Sequence, residues 1–367
     1  MSVLTTTADD GARRPGRRRR PRPDSAVVTL ADVAERAGVS LATASRVMGG
    51  STRVVGSDLR DAVHRAATEL GYSANLQARA VARGMSDTLG VVVHDIADPY
   101  FSTIAAGVMD VAYAGSMVVS LTSTSADTDR ELEYVAMMRA QRARAVVLIG
   151  SRTDDQRATD ELRTELRAFT RSGGRVVCVG QDLLGVDTVM PQNADGARDL
   201  ARALVSQGHR DFVVLAGPAG LRTARDRVTG FRAGLADRGI DLADGDVIPG
   251  PFTRDGGYEA ASAVLAGRVR PVCLFAVNDV MAVGALACMR AAGVDVPCEV
   301  AVAGFDDIPT LQDVTPPLST VALPLFRMGE MAARLALRDD DGGGGEPRIV
   351  PISGQVLLRQ SSAAFRR

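Results

Sequence analysis

The chain has 367 residues, 46% hydrophobic and only 4% aromatic, with no tryptophan and a formal net charge of −1. That length exceeds one core and implies two or three domains, while no apolar run reaches the roughly 18 residues of a membrane span and no apolar segment follows the N-terminal arginines to make a secretory signal. The near-neutral total hides a division: residues 1–84 hold 14 arginines and 8 acids, a net of +6, and the remainder carries −7, as expected of a polyanion-binding module joined to an ordinary body.

In chain order, residues 1–25 are rich in Arg, Pro and Gly and lack any period, which predicts disorder. Their run of Arg13, Arg14, Arg17 to Arg20 and Arg22 is either a source of phosphate contacts or a solvated tail. Thr29 then stands at a helix N-cap with Asp32 three residues on. Leu30, Val33, Ala34 and Ala37 repeat on one helix face. Gly38 stops this helix and Ser40 caps the next. In that second helix Ala44, Val47 and Met48 point inward, leaving Leu41, Ala42, Thr43, Ser45 and Arg46 outside. A helix with small groups and one Arg near its exposed N-terminal end suits the major groove of DNA; the alternative is an ordinary helical hairpin. Ser57 is the expected cap of a third helix, with Leu59, Val63, Ala66, Ala67 and Leu70 as its apolar stripe and Gly71 as its stop. Asn75 to Gly84 has helical composition but is too short for a stable isolated helix.

From Leu89 onward short β-branched runs alternate with helical stretches. Candidate strands are Leu89–Val93, Met117–Leu121, Ala145–Ile149 and Val176–Val179, then Phe212–Leu215, Val247–Ile248, Val272–Ala276 and Val300–Ala303. Runs apolar on both faces between helices indicate parallel sheets covered on both sides. The fold class is therefore α/β behind a three-helix head, with two similar subdomains. The four glycines within Asp339 to Glu346 lack the strand–loop–helix context of a phosphate cradle. Cys178, Cys273, Cys288 and Cys298 have no C-x-x-C spacing and read as reduced thiols. His64, His94 and His209 are scattered along the chain, so no metal or other cofactor is expected.

Specific words accompany this pattern: Leu30-Ala-Asp-Val-Ala34, Ala37-Gly-Val-Ser40, Ser45-Arg-Val47, Glu69-Leu-Gly-Tyr72, Asp98-Pro-Tyr-Phe101, Gly208-His-Arg210, Thr223-Ala-Arg-Asp-Arg227, Asn278-Asp279, Gly304-Phe-Asp-Asp-Ile-Pro309 and Thr315-Pro-Pro-Leu318. On these the chain resembles the LacI/GalR family of transcriptional regulators, from Val28 to about Ser362. The resemblance implies a helix-turn-helix headpiece (26–73), a hinge helix (74–87), and a two-lobed, periplasmic-binding-protein-like body with two parallel sheets (88–367). Lobe N would be about 88–192 with 322–346, and lobe C 193–321 with 347–367. The three crossings between lobes are expected near Gln192, Val321 and Pro347.

The resemblance also implies site residues. Leu41 and Ala42 fall where relatives read base edges, and neither can form a bidentate hydrogen bond, so they would read shape and thymine methyls. Arg46 is the one strong donor, either forked onto a guanine or held in a surface ion pair. Ser40, Thr43, Ser45 and Tyr72 suit phosphates. Asn75, Arg79 and Val81 match the hinge, where Val81 replaces a minor-groove leucine wedge with a shorter, stiffer side chain. In the body Tyr100, Phe101, Arg227, Phe252, Asn278 and Asp306 match an effector site between lobes; the alternative for Asp306-Asp307 is a strand-end turn. Gly180, Leu323 and Gln192 stand where many relatives carry polar groups.

Together these imply a repressor that binds a pseudo-palindromic, double-stranded DNA operator as a homodimer, responds to a carbohydrate-like effector, and works in the cytoplasm at the nucleoid. The alternative is a sugar-binding sensor or transport protein with no gene-regulatory role, which the body alone would also fit. No G-x-S-x-G elbow, P-loop or H-E-x-x-H motif points to an enzyme. The effector's identity, its sign and the operator are left open.

Overall fold

The computed structural model describes residues 28–48, 55–72, 85–267, 272–338 and 346–364. The chain divides into two units, residues 1–79 and 80–367. The arm at 1–25 and the hinge calls on Asn75, Arg79 and Val81 lie outside the described residues.

The head holds three helices, α1 (Leu30–Ala37), α2 (Leu41–Met48) and α3 (Ser57–Glu69). Asp32 reaches back to Thr29, accepting from its backbone N–H at 2.8 Å and its hydroxyl at 2.7 Å. Gly38 ends α1 with a left-handed φ of 67°, a conformation a side chain would strain. Val39 N–H returns to the Ala34 carbonyl at 3.0 Å. Ser40 then caps α2, accepting from Thr43 N–H at 3.1 Å. Val33, Ala34, Ala44, Val63, Ala66 and Ala67 make the core, with Val47, Met48, Leu70 and Tyr72 against it. Two expectations shift. Leu59 is 48% exposed, because it falls on the outer side of the first turn of α3. The cap position of that helix is Gly56, and Ser57 is its first residue.

The body opens with β1 (Ser86–Val93), α4 (Pro99–Ala114), β2 (Val118–Ser123), α5 (Thr128–Ala140), β3 (Ala143–Ile149), α6 (Gln156–Arg171), β4 (Arg175–Val179) and β5 (Asp187–Pro191). The chain then builds α7 (Asn193–Ser206), β6 (Phe212–Gly217), α8 (Arg222–Ala236), β7 (Val247–Pro249), α9 (Arg254–Gly267), β8 (Val272–Ala276), α10 (Asp279–Ala291) and β9 (Val300–Ala303). It finishes with β10 (Thr320–Ala322), α11 (Leu325–Leu337), β11 (Ile349–Ile352) and β12 (Gln355–Leu357). Two all-parallel sheets result, β11-β5-β4-β3-β1-β2 and β7-β6-β8-β9, with β10 and β12 as a separate antiparallel pair. Central strands such as β3, Ala143-Arg-Ala-Val-Val-Leu-Ile149, are buried on both faces, because helices cover both sides of each sheet.

All eight candidate strands are present, with ends displaced by at most three residues. Four others were not foreseen: β5, β10, β11 and β12. They explain a correction to the lobe boundaries. The resemblance places residues 347–367 in lobe C with a crossing near Pro347, but β11 pairs in parallel with β5 in the lobe N sheet, Ile349 with Thr188 through Ile352 with Pro191. The third crossing therefore lies after Ile352, where β12 returns to pair with β10. Pro347 and Pro351 make this segment read as a loop. Pro351 is tolerated because β11 is an edge strand with one side free of partners. The first crossing falls at Gln192, between β5 and α7, and the second two to three residues past Val321, between β10 and α11.

Candidate functional site

Tyr100, Phe101, Arg227, Phe252, Asn278 and Asp306 all line one cleft between the two lobes, which encloses about 500 Å³ of empty space counted to its open mouth. Each follows the carboxyl end of a parallel strand, β1, β6, β7, β8 or β9, where loops of an α/β sheet leave a crevice. The local folds hold them in place. Asp98 caps α4 by accepting from Tyr100 N–H at 2.9 Å, and the Tyr100 and Phe101 rings meet edge-on with centroids 5.0 Å apart. Asn278 caps α10, its Oδ1 accepting from Met281 N–H at 2.9 Å.

Arg227 is 1% exposed and engages nearly all its donors within the protein. Its Nε donates to Asn193 Oδ1 at 2.9 Å, Nη1 to the Val277 carbonyl at 2.6 Å, and Nη2 to Asp306 Oδ1 at 2.6 Å. The guanidinium lies 3.9 Å over the Phe305 ring, a favourable cation–π position. The guanidinium charge is thus matched by one buried carboxylate, so the pair presents no net charge to a ligand. A neutral, hydrogen-bonding molecule with an apolar face suits these walls better than an ion. Asp306 and Asp307 both lie in the turn after β9, with φ of 120° and 55°; within it Asp306 pairs with Arg227, and Asp307 accepts from Arg359 Nη1 at 2.7 Å.

Burial pushes the Asp306 carboxyl above its ordinary value, while the Arg227 guanidinium bonded to it at 2.6 Å pulls the other way and favours the carboxylate. Asp279, fully buried behind it, is pushed up by burial to about 6 although Thr320 Oγ1 and Ile308 N–H donate to it at 2.7 and 3.1 Å. Burial and then the charge of Arg152 lower His94 to about 4, so its imidazole is neutral near pH 7. Burial also raises the Tyr100 phenol well above its usual range.

The sequence reading missed His94, Asp98, Ser151, Asn193 and Thr223, which complete the cleft wall. His94 packs on Gly150, where a Cβ would come within 2.3 Å of its ring nitrogen. The capping pattern Asp98-Pro99 could have flagged Asp98. Nothing local marks the others, whose partners come from distant segments. The departures at 180, 192 and 323 find physical reasons. A Cβ at Gly180 would sit 2.5 Å from the Gly150 carbonyl. Gln192 points to the lobe crossings, its Oε1 accepting from Ser353 Oγ at 2.7 Å. Leu323 is buried, 6% exposed.

In the head, Leu41, Ala42, Ser45 and Arg46 are exposed on α2 and Thr43 is half-buried. Arg46 has no ion-pair partner among the described residues, so the surface-pair alternative finds no support here. Ser40 and Thr43 hydroxyls meet at 2.9 Å, and Tyr72 leans on the head core. No helix among the described residues is long and apolar enough to cross a membrane. No group of His, Cys, Asp and Glu that could hold a metal occurs among them.

Comparison with known proteins agrees over nearly the whole length. Residues 29–75 match the family described as bacterial regulatory proteins, lacI family, and residues 201–362 match the periplasmic binding protein-like domain. The HTH-type transcriptional regulator GalS of Salmonella typhimurium is 32% identical over 345 residues, covering 93% of this chain and 98% of GalS. Among solved structures, a transcriptional regulator CelR–cellobiose complex is 30% identical with a TM-score of 0.66, covering 91% of this chain and 99% of that one. A lac repressor dimer bound to operator and the anti-inducer ONPF is 25% identical with a TM-score of 0.78, covering 92% and 100%. These relatives are regulators and not enzymes, and this chain belongs to the LacI family of bacterial regulatory proteins.

Proposed function

We propose that the protein is a cytoplasmic transcriptional repressor that binds a pseudo-palindromic operator as a homodimer and is controlled by a neutral, sugar-like effector in the inter-lobe cleft. The division of labour is head 26–73 for DNA, hinge 74–87, and body for effector and dimerisation, with the arm 1–25 outside the core plan. Leu41, Ala42 and Arg46 read bases, and Ser40, Thr43, Ser45 and Tyr72 meet phosphates. Asn75, Arg79 and Val81 act at the centre of the site. Tyr100, Phe101 and Phe252 stack on the effector, and Asn278, Asp306 and Arg227 orient it. One observation carries the reading: six residues named from sequence, spread over more than 200 positions of the chain, line the same cleft. The match of relatives in both head and body supports it, as does the operator and ligand complexes of structural neighbours.

Selection of bound duplexes from random DNA tests the regulatory half. The expected outcome is a two-fold pseudo-palindrome for the wild type, bound about 1–3 kcal/mol more weakly by Arg46→Ala. Recovery of sequences with no common site would refute it.

A further inference from the structure

The loop after β3 and the first turn of α8 meet across the mouth of the cleft. Arg225 Nη1 lies 2.9 and 2.8 Å from the two oxygens of Asp154, and Arg222 Nη2 lies 3.3 Å from the same carboxylate. Neutral contacts flank this cluster. Thr223 N–H donates to Ser151 Oγ at 3.0 Å, and Arg222 N–H to the Arg152 carbonyl at 3.0 Å. Gln181 Oε1 accepts from Arg152 N–H at 2.8 Å while its Nε2 donates to Thr223 Oγ1 at 2.9 Å. Thr153 and Leu221 form an antiparallel bridge.

Asp154, Ser151, Arg152 and Gln181 belong to lobe N, and α8 to lobe C. Arg227 is on α8, about half a turn beyond Arg225. Its own hydrogen bonds, to Asn193, Val277 and Asp306, all stay within lobe C. The contacts at residues 222–225 are therefore what ties the helix of Arg227 to the opposite lobe. The charges that meet across the lobes here are Asp154 with Arg222 and Arg225, with the Asp226 carboxyl beside both arginines on α8, and with side chains 31–45% exposed the Asp154 pairs remain open to screening by salt. An equilibrium between two lobe arrangements responds to even a small differential energy.

We propose that Asp154, Arg222 and Arg225 form an electrostatic clasp that positions α8, and Arg227 with it, so that lobe closure and effector affinity follow the charge of these three residues. The link to effector affinity rests on the reading of the cleft given above. The link to closure does not, and it is tested without effector or DNA.

The test is pulsed electron–electron distance measurement on the full chain, with spin labels on exposed Cys298 and on Thr170→Cys in α6. Labelled protein is diluted into excess unlabelled protein, so only distances within one chain count. Asp154→Arg is expected to move the distribution several ångströms to longer distance. Adding Arg222→Asp and Arg225→Asp reverses the polarity of the clasp and is expected to restore the wild-type distribution. Rising sodium chloride should lengthen the wild-type distance and leave the milder Asp154→Asn unchanged. A wild-type distribution in Asp154→Arg would overturn the proposal, as would an opening that reversed polarity does not repair. A clasp that behaves as expected, in a protein whose operator binding ignores every sugar tried, would refute the cleft reading alone.

Discussion

The two units treat the side chains proposed to meet DNA and effector in opposite ways. In the head, Leu41, Ala42, Ser45 and Arg46 face solvent on α2, and the core beneath them is built from other residues of the same short segment. In the body, Arg227, Asn278 and Asp306 are at most 4% exposed and hold one another and the strand ends in place. DNA is a large partner that comes to a surface, so its readers can be independent of folding. A small ligand is recognised by enclosure, so its readers are also core residues. Changes in the head should therefore alter binding alone, and changes in the cleft should alter binding and stability together.

The largest expected effect is in the cleft. Arg227→Ala leaves Asp306 buried without its cation and frees acceptors on Asn193 and Val277, a loss of about 3–5 kcal/mol in urea unfolding. Arg227→Met combined with Asp306→Leu removes both charges and should lose clearly less, since the pair then leaves no orphan. Equal losses in the two variants would break the argument that pairing, and not packing, is what Arg227 supplies.

Next comes Asp279. Its carboxyl stands at about 6 against an ordinary 3.8. A raised carboxyl binds its proton more tightly in the folded state, so it favours folding below the ordinary value and this contribution is lost as pH rises towards 6. Relative to Asp279→Asn, the wild type should lose roughly 1–3 kcal/mol between pH 4 and pH 6.5 and change little above that. His94 titrates in the opposite sense over part of this range, but it is common to both proteins and cancels in the difference. A flat difference between the two unfolding curves would remove burial as the cause.

Arg46→Ala sharpens the comparison from the other side. It should weaken binding to the selected operator by about 1–3 kcal/mol, the worth of one bidentate base contact, and random DNA much less. The melting temperature should stay where it is. Equal losses on both DNAs would make Arg46 a phosphate contact, and a drop in melting temperature would deny the head its separation of binding from folding. Val81→Leu is the smallest change, tightening operator binding by on the order of 1 kcal/mol through one added methylene. A weaker complex would mean a central step shaped for valine.

The same contrast governs what could be read from sequence. The head was legible because its signals are local: a reciprocal cap at Thr29 and Asp32, a glycine stop at Gly38, a hydroxyl cap at Ser40, and a helical period between them. Central strands were legible as apolar runs covered on both faces. β11 was not, because Pro351 within it and Pro347 just before it mimic a loop, and only the edge position of the strand makes Pro351 tolerable. β5, β10 and β12 are short and mix polar residues such as Asp187, Thr188, Thr320 and Gln355 into the run. In the cleft, family resemblance supplied six residues but not the network. That Arg227 is engaged by Asn193, Val277 and Asp306 depends on three loops whose proximity no spacing encodes.

The central claim is that a ligand in the cleft changes DNA binding by the head. Its most direct test is fluorescence anisotropy of the selected operator, titrated with a panel of neutral mono- and disaccharides, for the wild type and for Asn278→Ala as a milder cleft variant than Arg227→Ala. At least one sugar should shift the wild-type operator affinity severalfold, and the same shift should need a much higher sugar concentration in Asn278→Ala, with operator affinity in the absence of sugar unchanged. Operator affinity indifferent to every sugar, or titration curves that overlap for the two proteins, would contradict the account.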